Sequence, residues 1–195
     1  MKTKKAVLTF FTGLLLANSL FAADTYAVDP GHSKVGFTVR HLVINKVEGI
    51  FKEFSGTMQF DEQDVTKSSV QGSIKAASID TNNVKRDADL RSANFFDVEK
   101  YPEITFESKK VDKKGDDYIV TGILTMHGVS QEIHLPVTIT GPIKDPWGNF
   151  RIGIEAKMDL NRRKYGLLYD NRLDSGGLVV GNEIGIHINA EAIKK

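Results

Sequence analysis

The 195-residue sequence contains no cysteine, so disulfides and thiolate-bound metals are excluded from its stability and its chemistry. It also lacks an excess of charge of one sign, because 26 lysines and arginines nearly balance 25 aspartates and glutamates. Nucleic-acid binding generally requires a strongly basic surface. We therefore expect no nucleic-acid partner, and we expect a buried core and backbone hydrogen bonds to supply the stability.

Long hydrophobic runs are missing everywhere except at the start of the chain. Lys2, Lys4 and Lys5 precede an apolar run over residues 6–16, which is too short to cross a bilayer comfortably. Small residues follow it, directly before Asp24. This pattern predicts a cleavable secretory signal peptide over residues 1–22 and a single exported domain over residues 23–195. We expect the domain not to span a membrane after cleavage.

Apolar and polar residues alternate along most of the remaining chain, as they do in strands that bury one face. Only residues 82–96 have helix-forming character, so helical crossovers between parallel strands are lacking and the strands are predicted to be antiparallel. Turn-forming residues occur at 113–117, 127–130 and 145–149. The fold class is therefore all-β, a single antiparallel barrel of about eight long strands with one short helix. Such a barrel is either filled by side chains or holds one elongated ligand.

The inward faces of the predicted strands combine large apolar residues with glycines at 56, 72, 122 and 141. Glycines at inward positions leave volume that phenylalanine and methionine can line without filling, which favours a ligand tunnel over a packed core. The two aromatic residues at the end of the helical segment are predicted to close the tunnel. The predicted lining comprises Phe37, Val39, Phe54, Met58, Ile74, Phe95, Phe96, Phe106, Leu124 and Met126.

Four polar residues are candidate contacts for the head group of such a ligand. His32 and His41 flank the first predicted strand, and the alternative for each is a backbone-satisfied position at a strand end. Arg86 and Arg91 lie on the predicted helix. Their alternative role is a latch, in which an ion pair between Asp87 and a neighbouring arginine fixes the helix across the barrel end.

Catalytic and metal-binding patterns are lacking. The five histidines do not have the spacing that places two imidazoles on one face, so we predict no metal and no cofactor other than a bound lipid. We find no constellation for nucleophilic or acid-base catalysis and predict that the chain is not an enzyme. Two alternatives stay open. One is a small lipid hydrolase or isomerase with His32 or His41 as its base, and the other is a stress-induced interaction protein with a vestigial cavity.

Several short strings, taken in their order, resemble the YceI family of periplasmic, lipocalin-like lipid-binding proteins. They begin with Val28-Asp29-Pro30-Gly31-His32-Ser33 and continue with residues 86–92, Phe95-Phe96-Asp97, residues 122–130, Asp145-Pro146-Trp147-Gly148 and Val180-Gly181-Asn182-Glu183. The resemblance implies an extended eight-stranded barrel that encloses a polyisoprenoid or fatty-acyl ligand in a hydrophobic tunnel. Our leading hypothesis is a periplasmic protein whose barrel binds an isoprenoid, quinone-like or fatty-amide chain. It implies binding, transport or storage of that amphiphile, and a homodimer is compatible with it.

Overall fold

The computed structural model describes residues 23–195, so the predicted signal peptide lies outside the described residues. One α-helix, α1 (Val84–Arg91), occurs among the strands. The strands are β1 (Asp24–His41), β2 (Asn45–Phe51), β3 (Phe54–Phe60), β4 (Ser69–Lys75), β5 (Ile79–Asp80), β6 (Glu103–Lys114), β7 (Asp117–Met126), β8 (Val129–Lys144), β9 (Phe150–Asn161) and β10 (Val180–Lys194).

The strands form one closed antiparallel barrel. Its order is β1, β3, β4, β6, β7, β8, β9 and β10, and β10 pairs again with β1. The short strand β2 pairs with the second half of β1, and the short strand β5 pairs with β2. The predicted eight-stranded all-β barrel is thereby confirmed. The three predicted turns join β6 to β7, β7 to β8 and β8 to β9.

Helix α1 is shorter than the predicted helical segment 82–96. Asn83 caps its start, where the side chain accepts a hydrogen bond from Arg86 N at 3.0 Å. The helix ends at Arg91, because Phe96 N donates to Leu90 O and this bond turns the chain back toward the barrel. The two phenylalanines at 95 and 96 consequently lie against the barrel end instead of continuing the helix.

The two ends of the barrel are closed in different ways. At one end, which we call the floor, side chains of the strands pack together. The buried cluster there contains four side chains that are each at most 5% exposed: Tyr26, Phe60, Ile152 and Ala192. The other end, the mouth, carries the β1–β2 turn, α1, the β7–β8 turn and the β9–β10 connection. The β9–β10 connection begins with a 3-10 turn, Arg162–Tyr165, and its irregular part, the mouth loop, comprises residues 166–179.

Candidate functional site: an apolar cavity inside the barrel

The barrel encloses a cavity of about 300 Å³ that runs from the floor to the mouth. This volume is at the lower end of the usual range for small-molecule pockets, roughly 300–1,000 Å³. All ten residues that were predicted to line a tunnel do line this cavity: Phe37, Val39, Phe54, Met58, Ile74, Phe95, Phe96, Phe106, Leu124 and Met126. Their contact with a ligand stays a prediction.

Only two of the four glycines that were interpreted as leaving volume line the cavity. They are Gly56 and Gly72, which face each other on β3 and β4, although Val28 Cγ2 would lie 3.0 Å from a Cβ added at Gly56. Gly122 instead makes room for the ring of Phe106, whose Cζ would lie 2.6 Å from an added Cβ. Gly141 lies at a bulge in β8 with φ of 102°, a backbone conformation that favours glycine. The interpretation of Gly122 and Gly141 as cavity-forming positions was wrong.

The two histidine candidates lie away from the cavity that residues 23–195 enclose. His32 is exposed, and its Nδ1 lies 2.9 Å from Asp29 Oδ2. Asp29 also receives Arg151 Nη1 at 2.9 Å, and these two partners lower its pKa from 3.8 to about 2, with Arg151 contributing most. His41 is half-buried at the end of β1 and is likewise absent from the lining. Neither imidazole is placed to act on a molecule inside the barrel.

One cluster of possible metal ligands adjoins His32. Ligand atoms of Asp29, His32 and Glu191 all lie within 4.8 Å of one another. The guanidinium of Arg151, however, already contacts both carboxylates, at 2.9 Å for Asp29 and 3.1 Å for Glu191. Its positive charge offsets part of theirs and occupies the space between them, so this cluster is an ion-pair network that joins β1, β9 and β10.

The helix arginines act as a latch, but not through the expected ion pair. Arg86 donates to Thr81 Oγ1 at 2.7 Å and to Thr81 O at 2.8 Å, while Arg91 donates to the backbone oxygens of Ala77 and Ile79. Asp87 accepts hydrogen bonds from Thr81 N and Oγ1. The expectation that Asp87 pairs directly with an arginine was wrong, because Thr81 stands between them. Neither arginine lines the cavity of residues 23–195.

The sequence analysis missed Arg162, the one charged residue in the lining that residues 23–195 provide. Only 2% of it is exposed, and burial lowers its pKa. Its guanidinium donates to Gly181 O at 2.9 Å, to Tyr169 O at 2.6 Å, to Asn182 Oδ1 at 3.1 Å and to Leu167 O. Strand parity could have revealed it, because position 162 continues the inward series of β9, whose last member is Leu160.

Arg162 therefore connects the end of β9 to the mouth loop and to the start of β10. Most of its partners are neutral carbonyl groups, and within residues 23–195 no carboxylate lies at ion-pairing distance from it. Several carbonyl dipoles can solvate a buried cation only if the loop keeps the geometry that directs them inward. The conformation of the mouth loop and the burial of Arg162 consequently depend on each other.

Residues 26–192 match the family model of the YceI-like domain. The chain belongs to the YceI-like family. It is similar to the UPF0312 protein plu2095 of Photorhabdus laumondii, with 42% identity over 170 residues that cover 86% of this chain and 88% of the relative. The predicted family is thereby confirmed.

Two solved structures show the same barrel as this YceI-like chain. BcnA of Burkholderia cenocepacia superposes with a TM-score of 0.75 at 25% identity and covers 84% of this chain and 98% of its own. A polyisoprenoid binding domain from Saccharophagus degradans superposes with a TM-score of 0.64 over 87% of this chain and 98% of its own. At 18% identity, the second likeness concerns the fold alone.

Proposed function

We propose that this YceI-like protein binds a long apolar molecule in its barrel and carries or stores it in the periplasm. The observation that carries the proposal is the cavity, which is lined mainly by aliphatic and aromatic side chains. Each methylene that leaves water for such a cavity contributes about 0.8 kcal/mol, so a chain of ten carbons binds tightly with few polar contacts. The polyisoprenoid binding domain of Saccharophagus degradans, which shares the fold, supports a prenyl chain as the first ligand to test.

The alternative of a lipid hydrolase or isomerase has less support. Its two candidate bases, His32 and His41, are absent from the cavity lining that residues 23–195 form. That the chain is not an enzyme, and that it forms a homodimer, both stay predictions.

Ligand binding is tested by purifying the protein from a periplasmic extract, removing bound lipid with organic solvent and refolding it. Geranylgeraniol and oleamide are then added separately, and the unfolding temperature is measured. We expect at least one of them to raise it, because a ligand that binds only the folded state stabilises that state. Unchanged unfolding temperatures with every prenyl and acyl probe, together with native mass spectra that contain no bound lipid before extraction, would refute the proposal.

Export is tested separately by N-terminal sequencing of the protein from the same extract. We expect the mature chain to begin at Ala23, after removal of residues 1–22. A chain that keeps Met1 and stays in the cytoplasmic fraction would contradict the periplasmic location without affecting the binding proposal.

A further inference from the structure

Three apolar side chains project into solvent from the mouth of the barrel. Ile44 is 83% exposed, Leu168 is 58% exposed and Val43 is 52% exposed. Val43 and Ile44 form the tip of the β1–β2 turn, and Leu168 lies in the mouth loop between two residues whose carbonyls hold Arg162. We refer to these three residues as the mouth patch. Exposed apolar residues that cluster on neighbouring loops generally mark a contact surface.

The two loops that carry the mouth patch are fastened to each other. Leu42 N donates to Val179 O at 2.9 Å, and the side chain of Val43 packs against Gly177. Leu42 and Val43 also have positive φ values, 51° and 67°, which are unfavourable for residues other than glycine. The backbone of this turn is therefore strained, and the turn exposes apolar side chains to solvent. Such strain often marks a functional site.

Basic residues outnumber acidic ones in the two segments that carry the mouth patch. The segments 40–46 and 162–182 contain six lysines and arginines but only two aspartates. Of the basic residues, Arg162 is buried, and the exposed ones are Arg40, Lys46, Arg163, Lys164 and Arg172. One aspartate, Asp170, already pairs with Arg163 at 3.2 Å. Exposed apolar side chains on segments rich in exposed basic residues match the chemistry of an anionic phospholipid surface, where acyl chains lie beneath negative head groups.

The mouth patch is continuous with the cavity. Val39, Leu167 and Val180 line the cavity. Leu167 directly precedes Leu168 in the mouth loop, while Val39 and Val180 lie at the ends of β1 and β10, next to the β1–β2 turn and the mouth loop. A surface that contacts the mouth patch therefore lies directly outside the residues that close the cavity.

We propose that the mouth patch docks the protein on an anionic phospholipid membrane surface, so that an apolar ligand passes between bilayer and cavity with little exposure to water. The transfer step rests on the proposed function, whereas docking itself does not. The floor end provides a matched control, because Ile143 and Trp147 are also exposed there, at 62% and 80%, but lie away from the cavity mouth.

The test is co-sedimentation of the mature protein with vesicles of phosphatidylcholine, with and without phosphatidylglycerol. We expect binding to the anionic vesicles that weakens at high salt. The double variant I44S/L168S should lower the partition coefficient by roughly tenfold or more. K46Q and K164Q should each lower it about fivefold. The control I143S/W147S should bind like the unaltered protein.

Three results would overturn the docking proposal: no sedimentation with anionic vesicles, equal binding to vesicles without phosphatidylglycerol, or a loss in the control variant that matches the loss in I44S/L168S. Equilibrium binding of geranylgeraniol to the same variants in the absence of vesicles separates the two proposals. If docking is lost and geranylgeraniol still binds, the mouth patch is supported. If vesicles bind and geranylgeraniol does not, the cavity proposal fails alone.

Discussion

Replacing Gly72 with leucine should stabilise the protein and weaken its binding of apolar ligands. Gly72 lies in β4, lines the cavity and faces Gly56 on β3. An added Cβ would meet only one neighbouring atom within 4 Å, Ser55 O at 3.4 Å, which is an ordinary contact. The rest of the leucine side chain would extend into the space that we assign to the ligand.

The two effects have opposite signs and can be estimated separately. Glycine within a strand costs about 0.5–1 kcal/mol relative to alanine, and a buried leucine side chain adds further apolar contacts. We therefore expect the free energy of unfolding to rise by about 1–3 kcal/mol. A leucine side chain displaces about four ligand carbons at about 0.8 kcal/mol each, which amounts to roughly 3 kcal/mol or a 200-fold weaker affinity.

The matched control is the same substitution at Gly122, which has the same inward parity on β7. There an added Cβ would lie 2.5 Å from Glu107 O and 2.6 Å from Phe106 Cζ, so we expect a loss of about 1–3 kcal/mol. Urea unfolding measures stability, and displacement of a fluorescent fatty acid measures affinity. If G72L is destabilised as much as G122L, or if it binds the probe with unchanged affinity, our assignment of the open volume is wrong.

Three further predictions concern the floor, the mouth and the ion-pair network. I152A should lower the free energy of unfolding by about 2–5 kcal/mol in urea, because Ile152 is 1% exposed in the floor. R162M should leave several carbonyl groups unsatisfied, and hydrogen exchange should show lost protection in residues 166–182 while the floor strands stay protected. Asp29 has a folded-state pKa of about 2, below its ordinary 3.8, so its contribution to stability should be complete above the ordinary value and disappear as the pH falls through about 2. The D29N variant should lose less stability over this interval, and an unaltered acid-unfolding profile would contradict the role of its pairing with Arg151.

The cavity lining was predictable because strand alternation is a local property. In β9 and β10 the apolar residues recur at every second position, and a period of two assigns each residue to one face before any strand pairing is known. The same alternation places Arg162 at the next inward position after Leu160. A charged residue at that position does not fit the apolar pattern, so the pattern alone did not identify it. Parity therefore identifies which residues face inward, including residues of unexpected chemistry.

Parity could not show which inward positions leave open space. Gly72 and Gly122 have the same orientation, yet only Gly122 is covered by a ring, because Phe106 on the paired strand β6 leans across it. Contacts between distant segments were equally inaccessible. Arg151 and Asp29 are separated by 122 positions, and the latch of α1 depends on Thr81, a residue with no distinguishing local pattern. These features depend on side-chain directions that emerge only when the barrel closes.

The different closures of floor and mouth determine where a ligand can enter. Opening the floor would expose side chains such as Tyr26, Phe60 and Ile152, and each costs about 1.5–3 kcal/mol when it returns to water. Opening the mouth loop would expose one buried large apolar side chain, Leu167, and would otherwise break hydrogen bonds between Arg162 and carbonyl groups, which water can replace at a net cost of about 0.5–1.5 kcal/mol each. Hydration of the released guanidinium offsets part of that cost, because burial disfavours its charge. Ligand exchange should therefore proceed through the mouth, next to the loops that we propose to contact the membrane.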